Sequence, residues 1–294
     1  MRKSLTTILI LILLGSIGFS RTTSIEDTLE IKTIMFKVIH PELQHTSYLF
    51  GTHHAFGKSF FDSLTIANSA LSSCNILIKE NLNIPGHLAQ DIINARTETT
   101  NWSKFLNKEN LAFINNMFSS SPTNINKITP AELYVFLNRY FKQQVCLAKE
   151  ASDTSLSLDD YIGSKAKQLE MELIGLETSE EQIKLINKDI EGMPRKVHKK
   201  RLFNILEKIK SKNTSNCEET DWYVNMEIDY QFNQPCRNAL ILTDRNEKWM
   251  GKITELLKTN SCFVAVGLSH LMYECGLINK LQSLGYIIEP INVK

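Results

Sequence analysis

The chain has 294 residues, 43% of them hydrophobic and 22% charged, as in ordinary globular proteins. Its 33 basic and 32 acidic residues leave a formal charge of +1 and are mixed along the chain. With no basic stripe to meet phosphate backbones and no acidic tail, nucleic acid is not an expected partner.

The first element reads as a leader. Arg2 and Lys3 precede an apolar run from Leu5 to Phe19, and the small residues Gly18 and Ser20 sit two apart at its end. Residues 1–20 are therefore expected to be a cleaved signal peptide, leaving residues 21–294 as a single exported domain, periplasmic or secreted. The run is shorter than the ~20 apolar residues of a comfortable spanning helix, so no stable membrane span is expected after cleavage. No cysteine follows it until Cys74, which argues against a lipid anchor on cysteine. The other cysteines are Cys146, Cys217, Cys236, Cys262 and Cys275. An even number in an exported chain permits disulfides, and the preferred pair is Cys217 with Cys236, which flank a polar, aromatic segment. The absence of Cys-x-x-Cys disfavours a zinc ribbon or a thioredoxin-like site.

Residues 31–39 predict a strand and 46–50 its hairpin partner, joined by a Pro41-containing link. Residues 60–72 carry Phe60, Phe61, Leu64, Ala67 and Leu71 at helical spacing. Residues 75–80 form a short apolar strand ending at Glu80. From 86 to 147 the pattern is mostly helical, and Thr129-Pro130-Ala131-Glu132 is a helix start with proline just inside. Another helix begins at Ser157 and ends before a strand at 171–177. Thr178-Ser179-Glu180-Glu181 opens a long helical stretch to about 258, broken at Gly192-Met193-Pro194 and around Gln234-Pro235. Its lysine-rich face reads as solvated surface. A buried strand at 262–267, a helix from about 269 to 284 and a last strand complete the chain. The fold class is α/β: a central β-sheet with flanking helices and a helical middle region, about 86–260, that could cap the sheet.

A smaller pattern recurs. Gly51-Thr52-His53-His54 ends one strand and Gly267-Leu268-Ser269-His270 ends another. Ligands of α/β sheets bind beyond the carboxyl ends of strands, where glycine lets the backbone turn away. Glu80 and Glu177 end two further strands, so two imidazoles and two carboxylates are placed at four strand ends. That donor set suits a catalytic zinc, manganese or iron ion. Such an ion lowers the pKa of bound water to about 7 and polarises a carbonyl, which is hydrolytic chemistry. Either motif alone is ordinary turn chemistry, and glutamate after a strand is often just the start of a loop. His53 takes a supporting role, because chain neighbours do not aim at one point. His40, His45, His87 and His198 lie in polar or loop contexts and are expected to face solvent.

The stretches YLFGTHHAFG, LIKE, LIGLETSEEQI, DRNEKWMGKITELL and CFVAVGLSHLMYECGLINKLQSLGYIIEPI, in this order, resemble the TraB/PrgY/GumN family, whose relatives include the animal TIKI metalloproteases. The resemblance covers about residues 31 to 292. It implies a fold similar to the erythromycin-esterase/ChaN-like superfamily and metal-dependent hydrolysis of peptide or protein substrates, with Mn²⁺ or Co²⁺ as the ion. The family histidines fall on His54 and His270, and the acid after the third strand on Glu80. Arg245-Asn246 matches an Arg-Asn pair before a helix; its guanidinium suits a substrate carboxylate or an oxyanion, or an ordinary helix-start salt bridge. Asp159 or Asp160 matches an acid before the middle helix, with Asp159 the choice and N-capping the simpler role. After His270 the family often continues Pro-Gly-Glu, where this chain has Met272-Tyr273-Glu274. Glu274, four residues on, either orients the imidazole from the same helix face or is simply exposed at the surface.

The expected mechanism gathers one divalent cation, Mn, Co or Zn, on His54, Glu80 and His270. Water then attacks a peptide carbonyl, with Glu177 or Glu80 as general base and Arg245 stabilising the developing charge. The competing reading is a non-catalytic exported binding protein that sequesters a peptide signal or a haem-like ligand, since fold does not fix function.

Overall fold

Apolar runs punctuated by turn residues give this chain its sheet. The structure, a computed structural model, describes residues 31–149 and 156–293; the signal peptide expected at residues 1–20 lies outside them. The strands are β1 (Met35–Ile39), β2 (Ser47–Thr52), β3 (Ile76–Lys79), β4 (Glu172–Gly175), β5 (Cys262–Gly267) and β6 (Ile287–Ile291). They form one mixed sheet in the order β4-β3-β5-β2-β1-β6. β1 and β2 make the expected antiparallel pair, with Met35 opposite Phe50. β2, β5, β3 and β4 are parallel, so all four carboxyl ends lie along one edge of the sheet. β5 sits between β3 and β2 and is covered on both faces, which is why its sequence is continuously apolar. Pro290 is tolerated because β6 is an edge strand.

The predicted helix starts form as read. Thr129 accepts from the Glu132 N–H in a capping box with Pro130 just inside, Ser157 caps the helix Leu158–Gln168, and Thr178 pairs with Glu181 in a second box. The helical middle has a core of its own, built on Trp102, Ile114, Leu133, Leu137, Leu202 and Leu206, separate from the core around the sheet. The expected helix at 60–72 is two helices, Lys58–Asp62 and Thr65–Ser72. Ser63 turns its hydroxyl back on the Phe60 carbonyl, and Asn68 donates to the Phe61 and Leu64 carbonyls, which satisfies the break.

Four expectations are corrected. The stretch after Thr178 has an additional break at 211–217, where Asn213 accepts from the Ser215 N–H in place of helical bonding. The helix expected from 269 begins only at Leu277, after a 3₁₀ turn at Leu268–His270. There the Tyr273 and Glu274 N–H groups donate to the Tyr230 and Gln234 carbonyls, and Tyr273 adopts a φ of 67°. Glu274 therefore shares no helix face with His270. The disulfides are Cys146–Cys217 and Cys236–Cys275, so the preferred Cys217–Cys236 pair does not form. Cys217 belongs to the helical core, whereas Cys236 packs with Cys275 in a separate apolar cluster. His198, expected in solvent, is buried in the helical core region with its ring edge-on to Phe105.

Residues 31 onward form one compact unit. Among the described residues, no helix is long and apolar enough to cross a membrane.

Candidate functional site

The four parallel strand ends deliver the four expected side chains to one edge. β2 runs into His53 and His54, β3 into Glu80, β4 into Glu177, and β5 into the turn that carries His270. The helix Asp244–Leu257 adds Arg245, Asn246 and Trp249 from its first turns. A cleft of about 1030 Å³ opens here, lined by His54, Glu80, Arg245 and His270 together with Arg139 and Trp222 from the helical region. Its size matches that of ligand sites.

Arg245 is the hub. Its Nη2 donates to Glu80 Oε2 at 2.7 Å and to Glu177 Oε1, and its Nε donates to Glu177 Oε2 at 3.1 Å. Nη1 lies 2.9 Å from His270 Nε2. Gln182 donates to Glu177 at 2.9 Å and to Glu80 at 3.3 Å. The Glu177 side chain is 1% exposed and both its oxygens are engaged, so it serves as counter-charge to Arg245. Glu80 lines the cleft, and its Oε1 accepts from the Gly267 N–H at 2.8 Å. Burial works to raise the Glu80 carboxyl, but the surrounding imidazoles, the Arg245 guanidinium and the Gly267 N–H more than offset it and hold the group below its usual value.

The two Gly-x-x-His histidines differ sharply. His54 has its side chain 59% exposed to the cleft, with Nδ1 2.7 Å from Asp159 Oδ2. The Asp159 charge lifts His54 to about 9, against the effect of desolvation. Asp159 also accepts from the Thr52 hydroxyl, and Lys79 beneath donates to its backbone carbonyl. Ser157 is the helix N-cap, which leaves the Asp159 carboxylate to hold His54. His270 is buried, and burial pushes it down to about 4. Its Nδ1 lies 2.7 Å from Asn246 Oδ1. His53 supports the wall: its Nδ1 accepts from the Ala55 N–H, its Nε2 meets Glu219 at 3.1 Å, and burial lowers its pKa.

Each motif glycine has its own steric reason. A Cβ on Gly51 would stand 2.5 Å from Leu268 Cδ1 and 3.2 Å from Leu268 Cα, so the two motif turns pack directly on one another. A Cβ on Gly267 would stand 3.1 Å from Glu80 Oε1. Gly51→Ala is expected to cost about 1–3 kcal/mol through overpacking, read as a lower urea midpoint with an unchanged slope. An unchanged midpoint would show that Leu268 yields freely.

His54, Glu80 and His270 are expected from the resemblance to share a divalent ion. Among the described residues no group of three or more His, Cys, Asp or Glu side chains is arranged to hold a metal. Glu80 Oε1 and His270 Nε2 are 3.8 Å apart, but Nε2 and Glu80 Oε2 both face the Arg245 guanidinium. The guanidinium brings positive charge to the space between them, and as placed the three residues do not fit an ion.

Gln182 and Trp249 escaped the sequence reading. Trp249 lies four residues after Arg245 on the same helix face, a spacing that was available as a signal. Its ring lies 4.6 Å beneath the Arg245 guanidinium and 4.4 Å from the His270 ring. Gln182 had no comparable signal.

A family model described as TraB/PrgY/gumN matches residues 34–290. No curated protein and no solved structure matches the chain, so the superfamily likeness drawn from the resemblance stays an expectation.

Proposed function

The chain belongs to the TraB/PrgY/gumN family, and on that premise we propose that its cleft hydrolyses peptide bonds. The observation that carries the reading is a separated acid and base in one cleft. Glu80 is held as a carboxylate and His54 as an imidazolium, and environments that push such a pair apart are the mark of acid–base assignment. In the proposed step, water attacks the scissile carbonyl and gives its proton to Glu80. The C–N bond then breaks as His54 donates its Nε2 proton to the leaving amine, and Asp159 stabilises the cationic ring beforehand. Arg245 has one Nη1–H without an acceptor among the described residues, which suits the oxyanion formed in between. Glu177, with its side chain 1% exposed, holds Arg245 and is not the base, whereas Glu80 lines the cleft where water enters. The two disulfides support the proposed export to an oxidising compartment, as does the signal peptide expected from the sequence.

The test is purified mature protein against a peptide library, with products read by mass spectrometry. His54→Ala and Glu80→Gln are each expected to lose about 10²–10⁴-fold in kcat. Parallel assays with chelator, and with added Mn²⁺, Co²⁺ or Zn²⁺, report whether any ion is required. Stoichiometric capture of peptide without products would replace hydrolysis by the binding-protein reading. Cleavage that survives both substitutions would overturn the residue assignments.

A further inference from the structure

The two Gly-x-x-His histidines look interchangeable in sequence, yet the His270 ring is enclosed on three sides. Nδ1 meets Asn246 Oδ1, Nε2 meets Arg245 Nη1, and the Trp249 ring packs against the imidazole, tilted, with centroids 4.4 Å apart. The direction of each hydrogen bond follows from what the partners can do. A guanidinium has donors and no acceptor, so His270 Nε2 must accept from Arg245. Asn246 is fixed the other way round. Its Nδ2 donates to the carbonyls of His270 at 3.2 Å and Cys275 at 2.9 Å, leaving Oδ1 as the acceptor. His270 Nδ1 therefore carries the proton, and the ring is neutral with its Nε2 lone pair already engaged.

The hold on Arg245 is asymmetric without this contact. Nε and Nη2 are tied to Glu177 and Glu80, whereas Nη1 has His270 as its single partner among the described residues. Asn246 is fully buried, and its neighbour Arg245 stacks on Trp249. One short helix segment thus sets the imidazole, and the imidazole sets the free end of the guanidinium.

We propose that His270 is a positioning residue: a neutral, Nδ1-protonated acceptor, fixed by Asn246, that pins Arg245 Nη1 so that its remaining N–H serves the substrate oxyanion. The second Gly-x-x-His is then no co-ligand or second base for the first. Only the final clause, the service to the oxyanion, rests on the hydrolytic reading; the tautomer and the pinning do not.

Two measurements test it. Imidazole ¹⁵N NMR of the intact wild-type protein at neutral pH is expected to show His270 with a pyridine-like Nε2 and a pyrrole-like Nδ1, unchanged by added Zn²⁺. A protonated Nε2, or a Zn²⁺-induced shift at Nε2, would overturn the proposal. In the peptide assay His270→Gln, whose carboxamide oxygen can accept from Arg245, is expected to stay within about tenfold of wild type. His270→Ala is expected to fall about 100-fold or more, the scale of losing one oriented oxyanion donor. Equal losses in both variants, with thermal melts showing both folded, would overturn the pinning. If wild-type protein cleaves nothing, the hydrolytic reading fails alone and the NMR result still decides the tautomer.

Discussion

Arg245→Met is expected to lower folding stability by about 3–5 kcal/mol, the cost of leaving buried charge without its partner. The side chain occupies a site where Glu177 is nearly sealed and Glu80 lines the cleft, and it makes charge-assisted hydrogen bonds to both. Methionine fills much of the volume and removes the charge, so the loss reports electrostatics more than packing. The sign of its pH dependence follows from Glu80, whose pKa in the fold lies below its ordinary value of 4.5. A depressed carboxylate contributes stability above about 4.5 that is lost as pH falls through its folded pKa. The gap between wild type and variant is therefore expected to be widest at neutral pH and to narrow below about pH 4.5. Urea titrations at a series of pH values measure this directly. Adding Glu177→Gln to the variant should recover part of the loss, because the two side chains share one network and their effects do not add. A variant with a wild-type midpoint at pH 7 would show that the carboxylates find other compensation, and the hub assignment would fall.

The legible parts of this molecule are those encoded locally. CFVAVG is a strand from Cys262 to Gly267 as read, because a fully covered parallel strand is continuously apolar. The helix starts at Thr129, Ser157 and Thr178 could be read because a cap is a three-residue relation. The convergence of His54, Glu80, Glu177 and His270 was also legible, since parallel strands place their carboxyl ends on one edge. What those groups do to one another was not. Of the two readings of Glu274, the surface one holds, and the partner of His270 is Asn246, brought in by another helix. The turn after His270 has the pattern of a helix because nothing in its own sequence announces that Tyr230 and Gln234 capture its N–H groups. Disulfide pairing failed for the same reason: Cys217 and Cys236 are near in sequence but pack into different apolar clusters. Local pattern fixes elements and edges, while pairings between distant segments decide the site's charge states.

The charge state of His54 gives the second large expectation. Peptide hydrolysis should hold level through neutral pH and fall about tenfold per unit once pH passes about 9, where His54 loses the proton it donates. The direction is fixed by the role: an acid is active while protonated, so a raised pKa extends activity upward and the loss comes on the alkaline side. Asp159 is the cause through both its charge and its contact, with Nδ1 of His54 2.7 Å from its carboxylate. Asp159→Asn keeps an oxygen to accept from the ring but removes the charge. The alkaline limb is then expected to move from about 9 toward the ordinary histidine value of 6.5. Folding stability should follow the same group: the pair's contribution is complete below about 6.5, declines as pH rises, and is gone above about 9. NMR titration of the His54 ring in wild type and Asp159→Asn separates this shift from any change in substrate binding. Activity that climbs through pH 9 would make His54 the base and reverse the assignment of acid and base in the cleft.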